Sequence, residues 1–335
     1  MSTPDLLDLQ HVSTVFAPRQ GTNEPVVAVD DVSFSLPADE AIFLTIVGES
    51  GSGKTTLTRN LLGLTRPSSG TIRFRGKDIY AMSTAEWRDY RHHVQPVFQD
   101  PYATYNPFYR IDRVLQVPLR KFKLASSPEE GRQKIEEALR AVDLRPGDVL
   151  GRYPHQLSGG ERQRIMLARI YLIRPRVIIA DEPLSMIDAS LRTVFLNILL
   201  DFREKHGISC IHITHNLATA YYLGGQIMIM CKGRVVERGD MDSVVSNPSH
   251  PYTRLLIDSV PSPDPNLRWK DRRGQGGGVE TSVLKTEGRN ACIFTARCPH
   301  VMPVCHEKRP EFIPVNTSQE AACFLYEEKA VLQQN

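Results

Sequence analysis

Apolar and polar residues alternate over 7–36, a period-two pattern that predicts two or three antiparallel strands around a loop at 18–25. The next apolar run, over 42–47, is continuous and is therefore typical of a strand buried on both faces. Further short apolar runs predict strands over 93–99, 177–180, 208–213, 226–230 and 233–239. Apolar residues at helical spacing predict helices over 128–142, 161–172 and 191–206. Strands interleaved with helices indicate an α/β fold.

A glycine-rich loop follows the strand over 42–47. It reads Gly48-Glu49-Ser50-Gly51-Ser52-Gly53-Lys54-Thr55, and Thr56 and a helical pattern come after it. Its glycines leave backbone N–H groups free to surround phosphates, Lys54 can reach the terminal phosphates, and the Thr55 hydroxyl can ligate Mg²⁺. Because the loop lies between a strand and a helix, the sequence predicts a nucleotide site here rather than a simple glycine-rich turn.

A second glycine-rich helix start reads Leu157-Ser158-Gly159-Gly160-Glu161. Ser158 lies at a cap position, and the N-terminus of a helix favours an anion. This turn contains no lysine of its own. The strand over 177–180 then ends in Asp181 and Glu182, where one carboxylate suits a hydrated divalent cation and the other can orient a water. Together the two elements predict half of a shared nucleotide pocket.

Two more polar residues stand at the ends of predicted strands. Gln99 ends the strand over 93–99, and His215 follows the strand over 208–213. Ligands bind at the carboxyl edge of open α/β sheets, which makes both residues candidates for the site. For Gln99 an ordinary surface position is the plainer interpretation, whereas for His215 a site residue and an inert surface histidine are equally good interpretations.

Composition narrows the function classes. The 335 residues carry 41 Lys and Arg against 38 Asp and Glu, a net charge of +3 that gives no bias toward polyanions and predicts no nucleic-acid partner. No apolar run reaches 18 residues, and the N-terminus lacks the pattern of a signal peptide, so we expect a cytoplasmic protein. Stretches rich in Pro and Gly at 261–265 and 273–278 predict a linker.

The six cysteines fall into two groups. Cys210 and Cys231 lie in apolar runs and are expected to be buried thiols. The other four are late in the chain: Cys292, Cys298, Cys305 and Cys323. Their wide spacing lacks the C-x-x-C knuckle of structural zinc sites, and a cytosolic setting argues against disulfides. Four thiolates can bind zinc or a 4Fe-4S cluster, and they can also remain unliganded.

The order and spacing of these motifs resemble the ATP-binding subunit of an ABC transporter over nearly all of residues 5–258. The resemblance implies a P-loop NTPase core with an antiparallel β subdomain and a helical subdomain at about 100–172. It equates 48–55 with Walker A, 157–161 with the signature and 177–181 with Walker B. It further implies Glu182 as catalytic carboxylate, Gln99 as the Q-loop ligand of Mg²⁺ with Thr55 and Asp181, His215 as switch histidine, Phe16 as adenine-stacking residue and Asp188 as the end of the D-loop.

Two positions depart from the usual family pattern. Met186 and Ile187 precede Asp188 where the family commonly has Ala and Leu, and Asn216 follows His215 where an Asp is usual. Neither change removes a group whose charge hydrolysis requires, so we interpret both as tolerated variation.

The second half resembles the ATPases of oligopeptide and dipeptide importers. The similarity lies in His250-Pro251-Tyr252-Thr253-Arg254 and in the cysteine-rich tail, where some members carry a 4Fe-4S cluster. We therefore expect a nucleotide-binding domain over 1–260 and an importer-type extension over 261–335. An ATPase of this group implies a second ATPase chain (a heterodimer rather than a homodimer), two transmembrane permease subunits and, indirectly, an extracytoplasmic solute-binding protein.

The cargo and the subfamily leave alternatives open. Similar ATPases serve importers of oligosaccharides, opines or nickel as well as peptides. A non-transport ABC ATPase is the distant alternative, but no long coiled-coil insertion and no second cassette are present in the sequence.

Overall fold

The computed structural model of the chain describes residues 4–18, 24–100, 105–185, 187–259 and 289–327. The strands are β1 (Leu7–Phe16), β2 (Val26–Leu36), β3 (Phe43–Val47), β4 (Ser69–Phe74), β5 (Lys77–Asp78), β6 (Val94–Val97), β7 (Val177–Asp181), β8 (Ser209–Thr214), β9 (Gln226–Cys231), β10 (Arg234–Asp240), β11 (Ile313–Asn316) and β12 (Gln319–Ala321). The helices are α1 (Lys54–Leu61), α2 (Thr84–His93), α3 (Asp112–Lys121), α4 (Pro128–Ala141), α5 (Pro146–Val149), α6 (Gly159–Ile173), α7 (Ala189–His206), α8 (Leu217–Leu223), α9 (Met241–Ser246), α10 (Pro251–Asp258) and α11 (Pro303–Glu307). Among the described residues, no helix is long and apolar enough to span a bilayer.

The chain forms two compact units. The first unit comprises 1–6, 36–43 and 74–213, and the second comprises 7–35, 44–73 and 214–335. The linker predicted at 261–265 and 273–278 lies outside the described residues, as does Met186.

The first unit contains three parallel strands with β7 between β6 and β8. A strand was predicted at 177–180, and all five residues of β7 are buried. Helices α3 and α4 pack against α6. The register aligns Asp181 at the end of β7 with Ile213 of β8, so both strands bring their carboxyl ends to the same edge.

Three helices of the first unit, α2, α3 and the short α5, were not predicted. Helix α2 begins at a capping box in which Ser83 and Glu86 bond reciprocally, a signal that is readable in the sequence. Helix α3 contains Pro118, a residue that usually marks the end of a helix, and here it lies in the last turn. Its buried face, which includes Leu115 and Leu119, holds it in place.

The second unit contains β1, β2 and β4, which lie side by side in the order β2-β1-β4, and five further strands in the order β3-β9-β10-β12-β11. Strands β3 and β9 are parallel, whereas β10 is antiparallel to both of its neighbours. The C-terminal segment therefore extends the sheet at β10, which the sequence did not predict. Its Ile293 and Phe294 share an apolar core with Val47, Ile229 and other buried residues of this unit.

A buried charge cluster also holds the start of the C-terminal segment. Asp30 is 3% exposed and accepts hydrogen bonds from Arg234 and Arg289, each at 2.7 Å. Arg234 additionally donates to the carbonyl oxygen of Ala291 at 2.9 Å. Because replacing Asp30 would leave the buried charge of Arg234 without its carboxylate partner, this cluster strongly specifies where the segment attaches.

Candidate nucleotide-binding site

The glycine-rich loop ends at α1 in a conformation that requires glycine. Gly53 has φ 100°, and a Cβ at this position would lie 2.1 Å from the carbonyl oxygen of Ala28. Gly53 provides no side-chain cap, so the first N–H groups of α1 are available to a bound anion. The loop therefore has the geometry of a phosphate site.

Lys54 is held by the loop itself. Its side chain is 5% exposed, and Nζ donates to the carbonyl oxygens of Gly48 and Glu49, both at 2.8 Å, and to Ser52 Oγ at 3.3 Å. The ammonium charge is thus concentrated inside the loop, where it favours phosphate. Thr55, the next residue, is exposed.

Two more predicted nucleotide contacts belong to the second unit, as the loop does. Phe16 is the last residue of β1, and its ring is 42% exposed, which leaves a face open for stacking. His215 follows β8 and is also exposed.

The Ser158 turn is the N-terminus of α6, as predicted. Ser158 Oγ accepts from the Glu161 N–H at 3.2 Å, while Glu161 Oε2 accepts from the Ser158 N–H and hydroxyl, both at 2.8 Å. Burial alone would raise the pKa of Glu161, but the hydrogen bonds from Ser158 and the charges of Arg164 and Arg152 outweigh it and lower this pKa. A charged Glu161 keeps Ser158 exposed and fixed in orientation.

Close packing explains the second glycine of this turn. A Cβ at Gly160 would lie 2.6 Å from Leu191 Cδ1, so a larger residue would force the Leu191 side chain to shift. Gly160 is buried, whereas Ser158 is exposed. The turn is therefore a rigid, outward-facing helix start.

The adjacent carboxylates at the end of β7 differ in environment. Asp181 is 9% exposed and is the last residue of the strand. Glu182 is half-buried and has φ 45°, a left-handed conformation that is strained for a non-glycine residue. Its N–H donates to the carbonyl oxygen of Ile213 at 2.8 Å, and its own carbonyl accepts from Ser185 Oγ at 3.1 Å. These bonds fix the unusual backbone.

The remaining predicted positions in the first unit are exposed. Gln99 follows β6, and its carbonyl oxygen accepts from Gln163 Nε2 at 3.4 Å. Asp188 caps α7, where its backbone oxygen accepts from the N–H groups of Leu191 and Arg192 at 2.9 and 3.2 Å. Gln163, one turn into α6, was not singled out in the sequence, because nothing in a single glutamine reveals its partner.

Two residues that hold Glu49 were also missed. The Glu49 N–H donates to Tyr252 Oη at 3.0 Å, and its carboxylate forms a bidentate pair with Arg297 at 2.9 and 3.0 Å. Arg297 and Glu49 are 248 positions apart in the chain, so no local pattern could have linked them.

The four late cysteines converge. Cys292, Cys298, Cys305 and Cys323 all line one small cavity. Burial raises the pKa of Cys323 to about 11, and the three neighbouring thiols contribute to the rise. Yet no set of three or more His, Cys, Asp and Glu side chains in the described ranges has the arrangement that a metal ion requires. The other two cysteines, Cys210 and Cys231, are buried, as predicted.

Residues 29–185 match the family model described as ABC transporter. The chain is 38% identical over 284 residues to the oligopeptide transport ATP-binding protein OppF of Salmonella typhimurium, an alignment that covers 84% of this chain and 83% of the relative. The chain belongs to the ABC transporter family of ATP-binding proteins. Membership confirms the predicted ATPase class and P-loop fold.

Further comparisons agree with this ABC ATPase assignment. Residues 236–305 match the model for the C-terminal region of oligopeptide/dipeptide transporters. OppF of Haemophilus influenzae is 35% identical over 325 residues, 95% of this chain and 96% of the relative. Among solved structures, the dimeric, post-hydrolysis state of the ATP-binding cassette MJ0796 bound to ADP and Pi has a TM-score of 0.61 and 26% identity, and the match covers 70% of this chain and 98% of that chain.

Proposed function

We propose that this ABC ATPase powers the uptake of di- and oligopeptides through a membrane importer, at the cytoplasmic face of the membrane. The observation that carries the cargo class is the match of residues 236–305 to the C-terminal region of oligopeptide/dipeptide transporters. Relatives that align over most of the chain are named as oligopeptide transport ATP-binding proteins. The ATPase itself need not touch the cargo.

The nucleotide roles follow from the chemistry of the site. Lys54 and the loop N–H groups bind the β- and γ-phosphates, and Phe16 stacks on the adenine. Thr55, Gln99 and, through water, Asp181 would hold Mg²⁺, which supplies charge neutralisation when it is bound. Supporting this assignment, each donor side chain is an oxygen ligand of the kind that Mg²⁺ prefers.

Hydrolysis requires a water positioned in line with the γ-phosphate. Glu182 orients and polarises that water, and its fixed backbone supports the role. His215 contacts the γ-phosphate from the end of its strand. The two residues act on the same phosphoryl group, one through the water and one through its oxygens.

A second ATPase chain completes the site. The Ser158-Gly159-Gly160 turn caps the ATP that is held by the glycine-rich loop of a sister chain, and Asp188 lies near the seam. Exposure of Ser158 and of Asp188 supports an intermolecular role. We favour a heterodimer, in which two different ATPase chains bury two ATP molecules. Binding closes the pair and hydrolysis reopens it, which drives the permease subunits.

Two permease subunits contact the region between Gln99 and Pro118, and the solute-binding protein acts on them from outside. Phe108 is 85% exposed and Tyr109 46%, an unusual exposure for aromatic side chains. Tyr109 also lines a cavity of about 330 Å³ in this region. Residues 101–104 of this segment lie outside the described ranges.

The late cysteines hold a 4Fe-4S cluster. All four thiols line one cavity, and thiolates are the ligands of such clusters, so the chemistry of the donors suits the group. Their arrangement in the described residues is not that of a formed metal site, so binding the cluster would require the four side chains to rearrange. When bound, the cluster supplies a covalent staple for a small, loop-rich segment. Iron and sulfide analysis of anaerobically purified protein tests this proposal, and a stoichiometric zinc content or bare thiols would contradict it.

The Glu182→Gln variant tests the catalytic assignment. We expect normal ATP binding and a fall in hydrolysis of about 10³-fold, because the amide cannot polarise the water. Glu129→Gln, which makes the same substitution at an exposed residue in the first turn of α4, is the matched control. Near-normal turnover in Glu182→Gln would remove Glu182 from the catalytic role.

The cargo is tested separately. The intact complex is purified with its binding protein, and the retained ligand is identified by mass spectrometry. Di- or oligopeptides are expected. An oligosaccharide, an opine or nickel would move the transporter to another importer group without changing the ATPase assignment.

A further inference from the structure

Glu49, the second residue of the glycine-rich loop, is fixed from three directions within the second unit. Tyr252 Oη accepts from its N–H at 3.0 Å, Lys54 Nζ donates to its carbonyl oxygen at 2.8 Å, and Arg297 pairs with both carboxylate oxygens at 2.9 and 3.0 Å. The bidentate pair is the only one of these contacts that acts on the charge of Glu49. Its two parallel hydrogen bonds also restrict the orientation of the carboxylate more than a single hydrogen bond would.

Arg297 and Tyr252 both pack against the ring of Phe294. Arg297 ends the short turn Thr295–Arg297, and its guanidinium lies 5.7 Å from the centroid of the Phe294 ring. The same ring contacts Tyr252 edge-on, with centroids 5.5 Å apart. Cys298, which lines the cysteine cavity, is the next residue after Arg297. Phe294 and Arg297 of the C-terminal extension therefore pack together with Tyr252 beside the loop.

A carboxylate in a loop that binds a triphosphate is electrostatically unfavourable. Each ATP phosphate oxygen would be repelled by an uncompensated Glu49, and this repulsion acts on every bound state of the nucleotide. A guanidinium bonded to both carboxylate oxygens neutralises that charge and also fixes where it points. The expected consequence concerns nucleotide affinity and not the chemical step.

We propose that Arg297 is a positioning residue for nucleotide binding, through which the C-terminal extension neutralises and orients Glu49 of the phosphate-binding loop. The inference rests on the proposed function, because it takes ATP to be the ligand of this loop. It assigns the extension a part in ATP affinity in addition to any structural role of its cysteines.

A second ion pair in the same part of the fold provides a matched control. Arg238 and Glu320 join β10 to β12 at 2.7 Å with side chains 37% and 38% exposed, compared with 34% and 41% for Arg297 and Glu49. Both pairs tie the extension to the rest of the unit, and their exposures are alike. Only the Arg297 pair reaches the loop, so Arg238→Met controls for loss of an ion pair as such.

The test compares MgATP affinity and hydrolysis in the full-length chain and in the assembled complex. Because the pair is partly exposed, we expect Arg297→Met to raise KM and Kd by about threefold to tenfold with kcat nearly unchanged. Arg297→Lys keeps the charge but not the bidentate geometry, so its KM and Kd should rise less than those of Arg297→Met. Arg238→Met should leave KM at the wild-type value.

The double variant Glu49→Gln with Arg297→Met gives the sharpest readout. If neutralisation is the role of Arg297, removing the carboxylate should make its loss nearly silent, so KM should match Glu49→Gln within about twofold. Thermal unfolding of each variant checks that the fold persists.

Several outcomes would overturn the inference. An unchanged KM in Arg297→Met would show that the pair is only structural. The same conclusion would follow if Arg297→Met raised KM equally in the wild-type chain and in Glu49→Gln. A fall in kcat at constant KM would contradict it as well. Failure of the wild-type chain to bind ATP would instead overturn the proposed function, and the two failures are therefore distinguishable.

Discussion

Two helices of this ABC ATPase begin at glycine-rich turns, and the two N-termini differ in the charged side chain that lies beside them. At α1 the cap is a bare glycine, and Lys54 lies beside it, inside the loop. At α6 the cap is Ser158, bonded reciprocally to Glu161, with no lysine in the turn. One start carries a cation of its own, whereas the other already holds a carboxylate.

The difference shows what each helix start can do alone. The α1 start adds a full positive charge to the helix dipole and can bind phosphate unaided. At α6 the charged Glu161 offsets part of the dipole, so its affinity for a free anion is low. This arrangement suits a lid that closes over an anion already held elsewhere. The comparison therefore predicts opposite consequences for mutations at the two turns.

The largest effect is expected at the loop. In Lys54→Met the charge-assisted bonds to phosphate are lost, and ATP affinity of the full-length chain should fall by roughly 10³-fold. Binding of a fluorescent ATP analogue measures this. Lys205→Met, which removes an exposed lysine that pairs with Asp201, is the control and should bind normally. Retained binding in Lys54→Met would mean that the loop is not the primary anion site.

At the second turn we expect hydrolysis to suffer and binding to persist. Ser158→Arg should leave ATP affinity of the chain unchanged while ATPase activity of the assembled pair falls about 10²-fold, because the lid is blocked. Ser83→Arg is an unusually close control, since Ser83 caps α2 with the same reciprocal bonds to Glu86. Equal effects of the two substitutions would reduce Ser158 to a structural cap.

Each of the two units that carry these helices contains one buried histidine whose pKa is lowered. Burial lowers the pKa of His212 in the first unit and of His250 in the second, each to about 4 from 6.5. Between pH 6.5 and 4 the unfolded chain binds protons that the folded chain does not. The free energy of unfolding should therefore decrease as the pH is lowered through this range, by about 2 to 3 kcal/mol per histidine. Urea unfolding at several pH values measures it.

The two histidines differ in what their replacement would do. Both ring nitrogens of His212 lack a hydrogen-bond partner within the described part of the chain, so His212→Leu should reduce the acid sensitivity without destabilising the protein at pH 8. His250 Nδ1 accepts from the Tyr252 N–H at 3.1 Å, and its replacement should cost stability at every pH. His155→Leu, at an exposed position, is the control. An unchanged pH slope in His212→Leu would contradict the assignment.

Local patterns were sufficient for much of the fold. The apolar run at 42–47, the glycine loop and the carboxylates at the end of β7 are local features of the sequence, and the structure has β3, α1 and β7 there. Helix α2 could also have been found, since the Ser83–Glu86 capping box is a local signal. Helix α3 could not, because Pro118 argues against a helix unless the burial of its neighbours is known.

Contacts between distant segments were beyond sequence reasoning. The pairing of β12 with β10 joins strands about 80 positions apart, as in Glu237 with Ala321, and the short β12 gives little periodic signal. The Arg297 pair with Glu49 is longer in range still. Neither residue type is unusual at its position, so only the folded chain reveals the link. The convergence of the four cysteines was foreseeable from their number, but not the cavity they share.

The most direct test is a structure of the assembled transporter, trapped with MgATP by Glu182→Gln. The account predicts that Ser158 Oγ lies about 3 Å from the γ-phosphate of an ATP held by the sister chain's glycine-rich loop, while Lys54 of this chain contacts a second ATP. A closed assembly in which Ser158 faces solvent, far from any triphosphate, would contradict it.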